Sequence, residues 1–118
     1  MINKLNKVLT LTGKSGKDYT FKLSTFDSFD DIKDGFTGHG LYLFTKRDSE
    51  GNHEQLYLGM ATTLETRFDN HHKKDELIKE GANCLGVYNM NNSTKESRKE
   101  AESDLLAAYQ FSCNDQEN

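Results

Sequence analysis

Two runs near the start, Val8-Leu9-Thr10-Leu11-Thr12 and Tyr19-Thr20-Phe21-Lys22-Leu23, carry the β-branched, aromatic and alternating polar positions of strands. The turn-like Gly13-Lys14-Ser15-Gly16 joins them. Residues 27–37 form an acidic, polar connector in which Phe29, Ile32 and Phe36 are scattered. Gly40-Leu41-Tyr42-Leu43-Phe44 is apolar on both faces, which predicts a central strand rather than an edge. After the polar loop Asp48-Ser49-Glu50-Gly51-Asn52, the run Leu56-Tyr57-Leu58-Gly59-Met60 predicts its hairpin partner.

The period then changes. Thr62 with Glu65 three residues later reads as a capping box opening a helix over about residues 63–72. A second short helix is expected over Lys73–Glu80, stopped by Gly81. Cys84-Leu85-Gly86-Val87-Tyr88 reads as a third core strand. Ser93 with Glu96 forms another capping box, and the helix behind it runs to about Tyr109. The order of hairpin, hairpin, helices, strand and helix implies an α+β domain.

Length and charge narrow the reading. A chain of 118 residues holds one compact domain. The net charge is −4, but residues 1–22 hold five lysines against one aspartate, which leaves the remainder at −8. A strongly basic nucleic-acid-binding domain is excluded, so an anionic partner must be met locally. Lys4, Lys7, Lys14 and Lys17 are the candidates; alternatively they guard an exposed sheet edge against aggregation. No apolar run approaches the roughly 18 residues of a membrane span. The first residues lack the apolar stretch of a signal peptide. Cys84 and Cys113 are too few for a disulfide framework. The expectation is a soluble, reduced, cytoplasmic protein.

Candidate chemistry begins with the tyrosines. Counting seven residues outward from Ser49 and Glu50 places Tyr42 opposite Tyr57, on one side of the sheet, if the hairpin has no bulge. An ordinary aromatic pair has the same spacing. In the last helix Ala101, Leu105, Ala108 and Tyr109 make the apolar stripe, and Glu102 sits inside it. An inward carboxylate needs an ion pair, a hydrogen bond or a metal, and Arg98 one turn earlier is the plain partner. Glu96, Glu100 and Asp104 are placed for solvent. Arg67 and His71 share a helix face.

Gly40-Leu41-Tyr42, then Tyr57-Leu58-Gly59, then Arg67 with His71 in Arg-Phe-Asp-Asn-His, then Glu102 and finally Asn114 together resemble the GIY-YIG nuclease family over residues 38–114. The resemblance implies a small central three-stranded antiparallel sheet flanked by helices, with residues 1–37 as an N-terminal β-hairpin extension and connector and 115–118 as a frayed tail. It implies a phosphodiesterase with one divalent metal, Mg²⁺ or Mn²⁺, held by Glu102. Tyr42 would take a proton from the attacking water, Tyr57 would orient the phosphate and Arg67 would stabilise its charge. His71 would assist proton transfer, Asn114 would hold the site together, and Gly40 and Gly59 are structural. Such chemistry is coherent, since a metal activates water and a nearby cation lowers a tyrosine pKa. Leu41, Leu58, Met60 and Phe111 depart from the family pattern.

The implied partner is DNA, with RNA equally compatible. Specificity would then be structural or weak, or come from a protein partner. A nuclease fold that no longer cleaves and serves as a binding or inhibitory module is the competing reading, and the acidic charge favours it. Gly13-Lys14-Ser15 lacks the earlier glycine of a phosphate-binding loop and reads as a turn. His71, His72, Cys84 and Cys113 lack zinc-finger spacing. Residues 27–34 lack the glycine and terminal Glu of a calcium loop.

Overall fold

The N-terminal hairpin is a structural part of the main sheet. Strands β1 (Asn3–Thr12) and β2 (Asp18–Thr25) pair antiparallel with Leu9 opposite Phe21 and Leu11 opposite Tyr19. The turn between them uses Gly16 at φ +94°, a left-handed conformation that favours glycine. β2 then pairs with β7 (Cys84–Asn89), β7 with β4 (Gly40–Arg47), and β4 with β5 (His53–Ala61), giving the order β1-β2-β7-β4-β5. These relations come from a computed structural model that describes residues 3–32, 36–37, 39–61, 65–66 and 73–114, the backbone alone at 3–7, 36–37 and 65–66.

The expected three-stranded sheet flanked by helices is therefore overturned. Five antiparallel strands form one curled sheet, a half-barrel, accompanied by two helices among the described residues. The physical reason is the free edge of β7: an unpaired strand edge leaves backbone N–H and C=O groups without partners, and β2 supplies them. No local pattern announces that pairing, because Leu23 meets Gly86 from far along the chain.

The helices also differ from expectation. Glu65–Thr66 is a short strand, β6, paired with β3 (Phe36–Thr37); the rest of the helix expected over 63–72 lies outside the described residues. Helix α1 spans Lys74–Glu80 and ends at Gly81, whose φ of +88° lets its N–H turn back to the Ile78 carbonyl. Helix α2 spans Lys95–Ala108. Its cap is Thr94, not Ser93: the Thr94 hydroxyl accepts the Ser97 N–H at 3.0 Å, while the Ser93 hydroxyl donates to the Met90 carbonyl. No helix among the described residues is long and apolar enough to cross a membrane.

Strand alternation sorts the core into two clusters. Leu41, Leu43 and Leu58 face α2, packing with Ala101, Leu105, Leu11, Tyr19, Phe21 and Phe111. Tyr42, Phe44, Leu56 and Tyr57 face the other way, with Phe26, Phe29, Ile32 and Leu77 of α1. Phe29 and Ile32 belong to a 3₁₀ turn (Phe29–Ile32), so the acidic connector after β2 closes that second cluster.

Candidate functional site

Tyr42 does not lie opposite Tyr57. The loop Asp48–Asn52 pairs Arg47 with His53, one residue off the expected centre, and a bulge between Phe44 and Thr45 adds a second slip. Tyr42 thus faces Gly59, and Phe44 faces Tyr57. Because side chains alternate with a period of two, two slips of one residue return both tyrosines to the same face. Their ring centroids are 6.1 Å apart and their hydroxyls share a hydrogen bond.

The glycine opposite Tyr42 is required by contact. A Cβ built at Gly59 would fall on the Cζ and Oη atoms of Tyr42, so the phenol lies directly across the β5 backbone. At Gly40 a Cβ would strike the Tyr88 carbonyl of β7. Gly59 thus makes room for the buried phenol, and Gly40 for the backbone of the neighbouring strand. Burial first, then Tyr57 and the charge of Glu102, push the Tyr42 pKa up, so its resting form is the neutral phenol.

Glu102 lies on the flank of α2 within electrostatic reach of Tyr42 and is half-buried. Burial raises its pKa, and Lys99 opposes the shift. The plain partner, Arg98, turns away: its Nη1 donates to the Ser93 carbonyl at 2.9 Å and to the Ser93 hydroxyl at 3.0 Å. Among the described residues no hydrogen bond or ion pair reaches the Glu102 carboxylate. A half-buried oxygen donor without a partner among the described residues suits a hard cation such as Mg²⁺ or Mn²⁺. No group of three His, Cys, Asp or Glu side chains assembles among the described residues, so water and substrate oxygens would complete any coordination shell.

Asn114 sits at the β5 edge. Its Oδ1 accepts the Leu58 N–H at 2.9 Å and its Nδ2 donates to the Leu58 carbonyl at 3.0 Å, while Cys113 N–H donates to the Leu56 carbonyl. The side chain acts as a missing strand neighbour immediately beside Gly59. Arg67 and His71 lie outside the described residues, as do the side chains of Lys4 and Lys7. Lys14 and Lys17 are in the hairpin turn, with Lys17 Nζ 5.2 Å from the Tyr19 ring centroid.

Asp104 was expected in solvent and instead fastens α2 to that turn. Its carboxylate accepts from Ser15 N–H at 2.8 Å, Ser15 Oγ at 2.7 Å and Tyr19 Oη at 2.9 Å, and its carbonyl accepts from Lys14 N–H. A Cβ at Gly13 would overlap the carboxylate. The turn thus holds an anion after all, one supplied by the chain's own helix. A polar turn with two glycines was the only visible signal; its partner 89 residues away had none. Beside this latch an open cleft of about 1150 Å³ is lined by Lys14, Lys17, Tyr19, Met90, Glu96 and Glu100; Tyr42 and Glu102 do not line it.

Compared with protein-family models, curated proteins and solved structures, the chain matches none.

Proposed function

We propose that this protein is a divalent-metal-dependent endonuclease that hydrolyses DNA phosphodiesters, with chemistry like that of the GIY-YIG nucleases. One observation carries the reading: the Tyr42 phenol, laid across Gly59 and hydrogen-bonded to Tyr57, feels the charge of Glu102, whose carboxylate has no hydrogen-bond or ion-pair partner among the described residues. A divalent cation held by Glu102 would lower the pKa of a coordinated water and neutralise phosphate oxygens. The chain's own groups have separate tasks. Tyr42, neutral at rest, donates a hydrogen bond toward the phosphate or its attacking water, and takes up a proton only once a neighbouring positive charge has ionised it. Tyr57 fixes the direction of that phenol. Arg67 would bind phosphate oxygens through its fork of donors, His71 would assist the proton transfer, and Asn114 keeps the β5 edge beside Gly59 in place.

The substrate would be DNA with structural or weak sequence preference, RNA being the nearest alternative, and a protein partner would supply any further specificity. We place the protein in the reducing cytoplasm, in keeping with the buried free thiols of Cys84 and Cys113. A catalytically silent binding or inhibitory module is the second reading, favoured by the net charge of −4 and by the protonated resting state of Tyr42.

Nicking of supercoiled plasmid with Mg²⁺ or Mn²⁺ tests the proposal. Nicking that EDTA and Glu102→Ala both abolish is the expected result. Folded wild type that cuts neither plasmid, branched DNA nor RNA would establish the silent module instead.

A further inference from the structure

Among the described residues β1 is the terminal strand of the sheet order, so one of its two rows of backbone groups meets no further strand. Hydrogen bonds at the end of β1 identify that row. Gly13 N–H donates to the Lys17 carbonyl at 2.8 Å, across the hairpin, whereas Thr12 N–H donates to the Tyr109 hydroxyl at 3.0 Å. Thr12 N–H is thus not spent on β2, and Thr12 with Asp18 is a non-hydrogen-bonded pair. The register is continuous from Thr12 back to Val8, so by alternation Thr10 with Thr20 and Val8 with Lys22 are pairs of the same kind. The 2.9 Å contact between the Thr10 and Thr20 hydroxyls fits the closer side chains of such a pair. The N–H and C=O groups of Val8 and Thr10 therefore point away from β2.

This outward row is closed at both ends. Toward the start of the strand the register slips between Lys4 and Val8, and a bulge spoils an edge for pairing. Toward the turn, the Tyr109 hydroxyl occupies the Thr12 N–H. Residues 8–11 lie between, and Val8 there is 57% exposed, opposite the exposed Lys22. The surrounding charge has one sign. Residues 1–22 hold five lysines against Asp18, whose carboxylate already accepts the Thr12 hydroxyl at 2.7 Å. Lys14, Lys17 and Lys22 are all exposed.

We propose that the outward row of β1 at residues 8–11 docks an extended, acidic segment of a partner protein, which joins the sheet as a further strand. Backbone hydrogen bonds to Val8 and Thr10 supply the affinity, a partner side chain covers Val8, and partner carboxylates meet the lysines. The same lysines repel a second copy of the hairpin, which selects such a partner over self-pairing. The proposal goes beyond the endonuclease reading and stands whether or not the protein cleaves, since β1 and β5 are opposite ends of the sheet order.

The probe is a fluorescein-labelled peptide, Glu-Val-Glu-Val-Glu-Val-Glu, with its lysine-for-glutamate counterpart as control. Wild type is expected to bind the acidic peptide by anisotropy, with amide exchange slowed at Val8 and Thr10, and to ignore the basic one. Thr10→Pro removes an outward donor while sparing the β1–β2 ladder, so it should fold and bind the acidic peptide about tenfold more weakly. Lys14→Glu combined with Lys22→Glu should weaken binding similarly, and carries the comparison should Thr10→Pro fail to fold. No binding by wild type, equal binding of both peptides, or binding without protection of Val8 and Thr10 overturns the proposal. A DNA duplex bound through the lysines by a protein that ignores the peptide would assign the hairpin to nucleic acid instead. A dimer in sedimentation that Thr10→Pro abolishes would assign the edge to a second copy, and either result overturns the acidic partner.

Discussion

At Gly59 a single hydrogen replaces what would otherwise be a collision with the Tyr42 ring. Gly59→Ala should therefore destabilise the protein by about 1–3 kcal/mol, as overpacking does, and displace the phenol. Urea unfolding measures the first effect, and loss of the Tyr42–Tyr57 ring contact by NMR the second; an unchanged ring contact would refute the account. Glu102 makes the opposite case, a residue kept where it harms stability. Burial raises its pKa in the folded state, so the native protein binds that proton more tightly than the unfolded chain. Stability then falls as pH rises from the ordinary carboxylate range through the raised folded value. Glu102→Gln removes the penalty: in EDTA it should be more stable than wild type at pH 7 and equal to it near pH 4. Equal stability at both pH values would show that the carboxylate is not strained by burial. Both residues were legible as motif positions. The ring across Gly59 was not, because it depends on a register two residues from the one that loop counting suggests.

Elements meet through a few polar contacts as well as apolar ones. The β1–β2 hairpin is fastened to α2 chiefly at Asp104, whose pKa the Ser15 hydroxyl and N–H hold below the ordinary carboxylate range. A depressed carboxylate contributes its stability above the unfolded pKa and loses it as pH falls through the folded one. Asp104→Ala should raise amide exchange in β1 and the turn 13–17 at neutral pH, with β4 and β5 left protected, and the difference from wild type should fade in acid. Exchange unchanged in β1 would mean that Leu9, Leu11 and Tyr19 hold the hairpin without the latch. Helix α2 was foreseen as an element from its apolar stripe, but its cap moved from Ser93 to Thr94. Either hydroxyl satisfies the local pattern. The choice follows from the Ser93 side chain being engaged by Met90 and Arg98.

The molecule as a whole is an acidic protein with a basic hairpin at one edge of its sheet. If that hairpin meets nucleic acid, replacing Lys4, Lys7, Lys14 and Lys17 with Ala should flatten the dependence of log K on log salt by about 0.9 for each lysine that touches a duplex phosphate. An unchanged slope would leave the lysines as guards of the β1 edge. At the other end of the sheet the β5 edge is covered by Asn114 and Cys113, which bond the Leu58 and Leu56 backbone.

What the sequence by itself determined is local. Apolar runs, turn residues and the α2 stripe specify which segments extend and which coil, since propensity and period act over a few neighbours. The pairing of Tyr42, Tyr57 and Glu102 as candidates also came from spacing and motif. Only the tertiary structure decided that β2 completes β7, that a bulge sets Tyr42 over Gly59, that Asp104 is a latch and that Arg98 leaves Glu102 alone. Each of these depends on groups far apart in the chain competing for the same unpaired backbone or side-chain atoms, and that competition is resolved when the whole core packs.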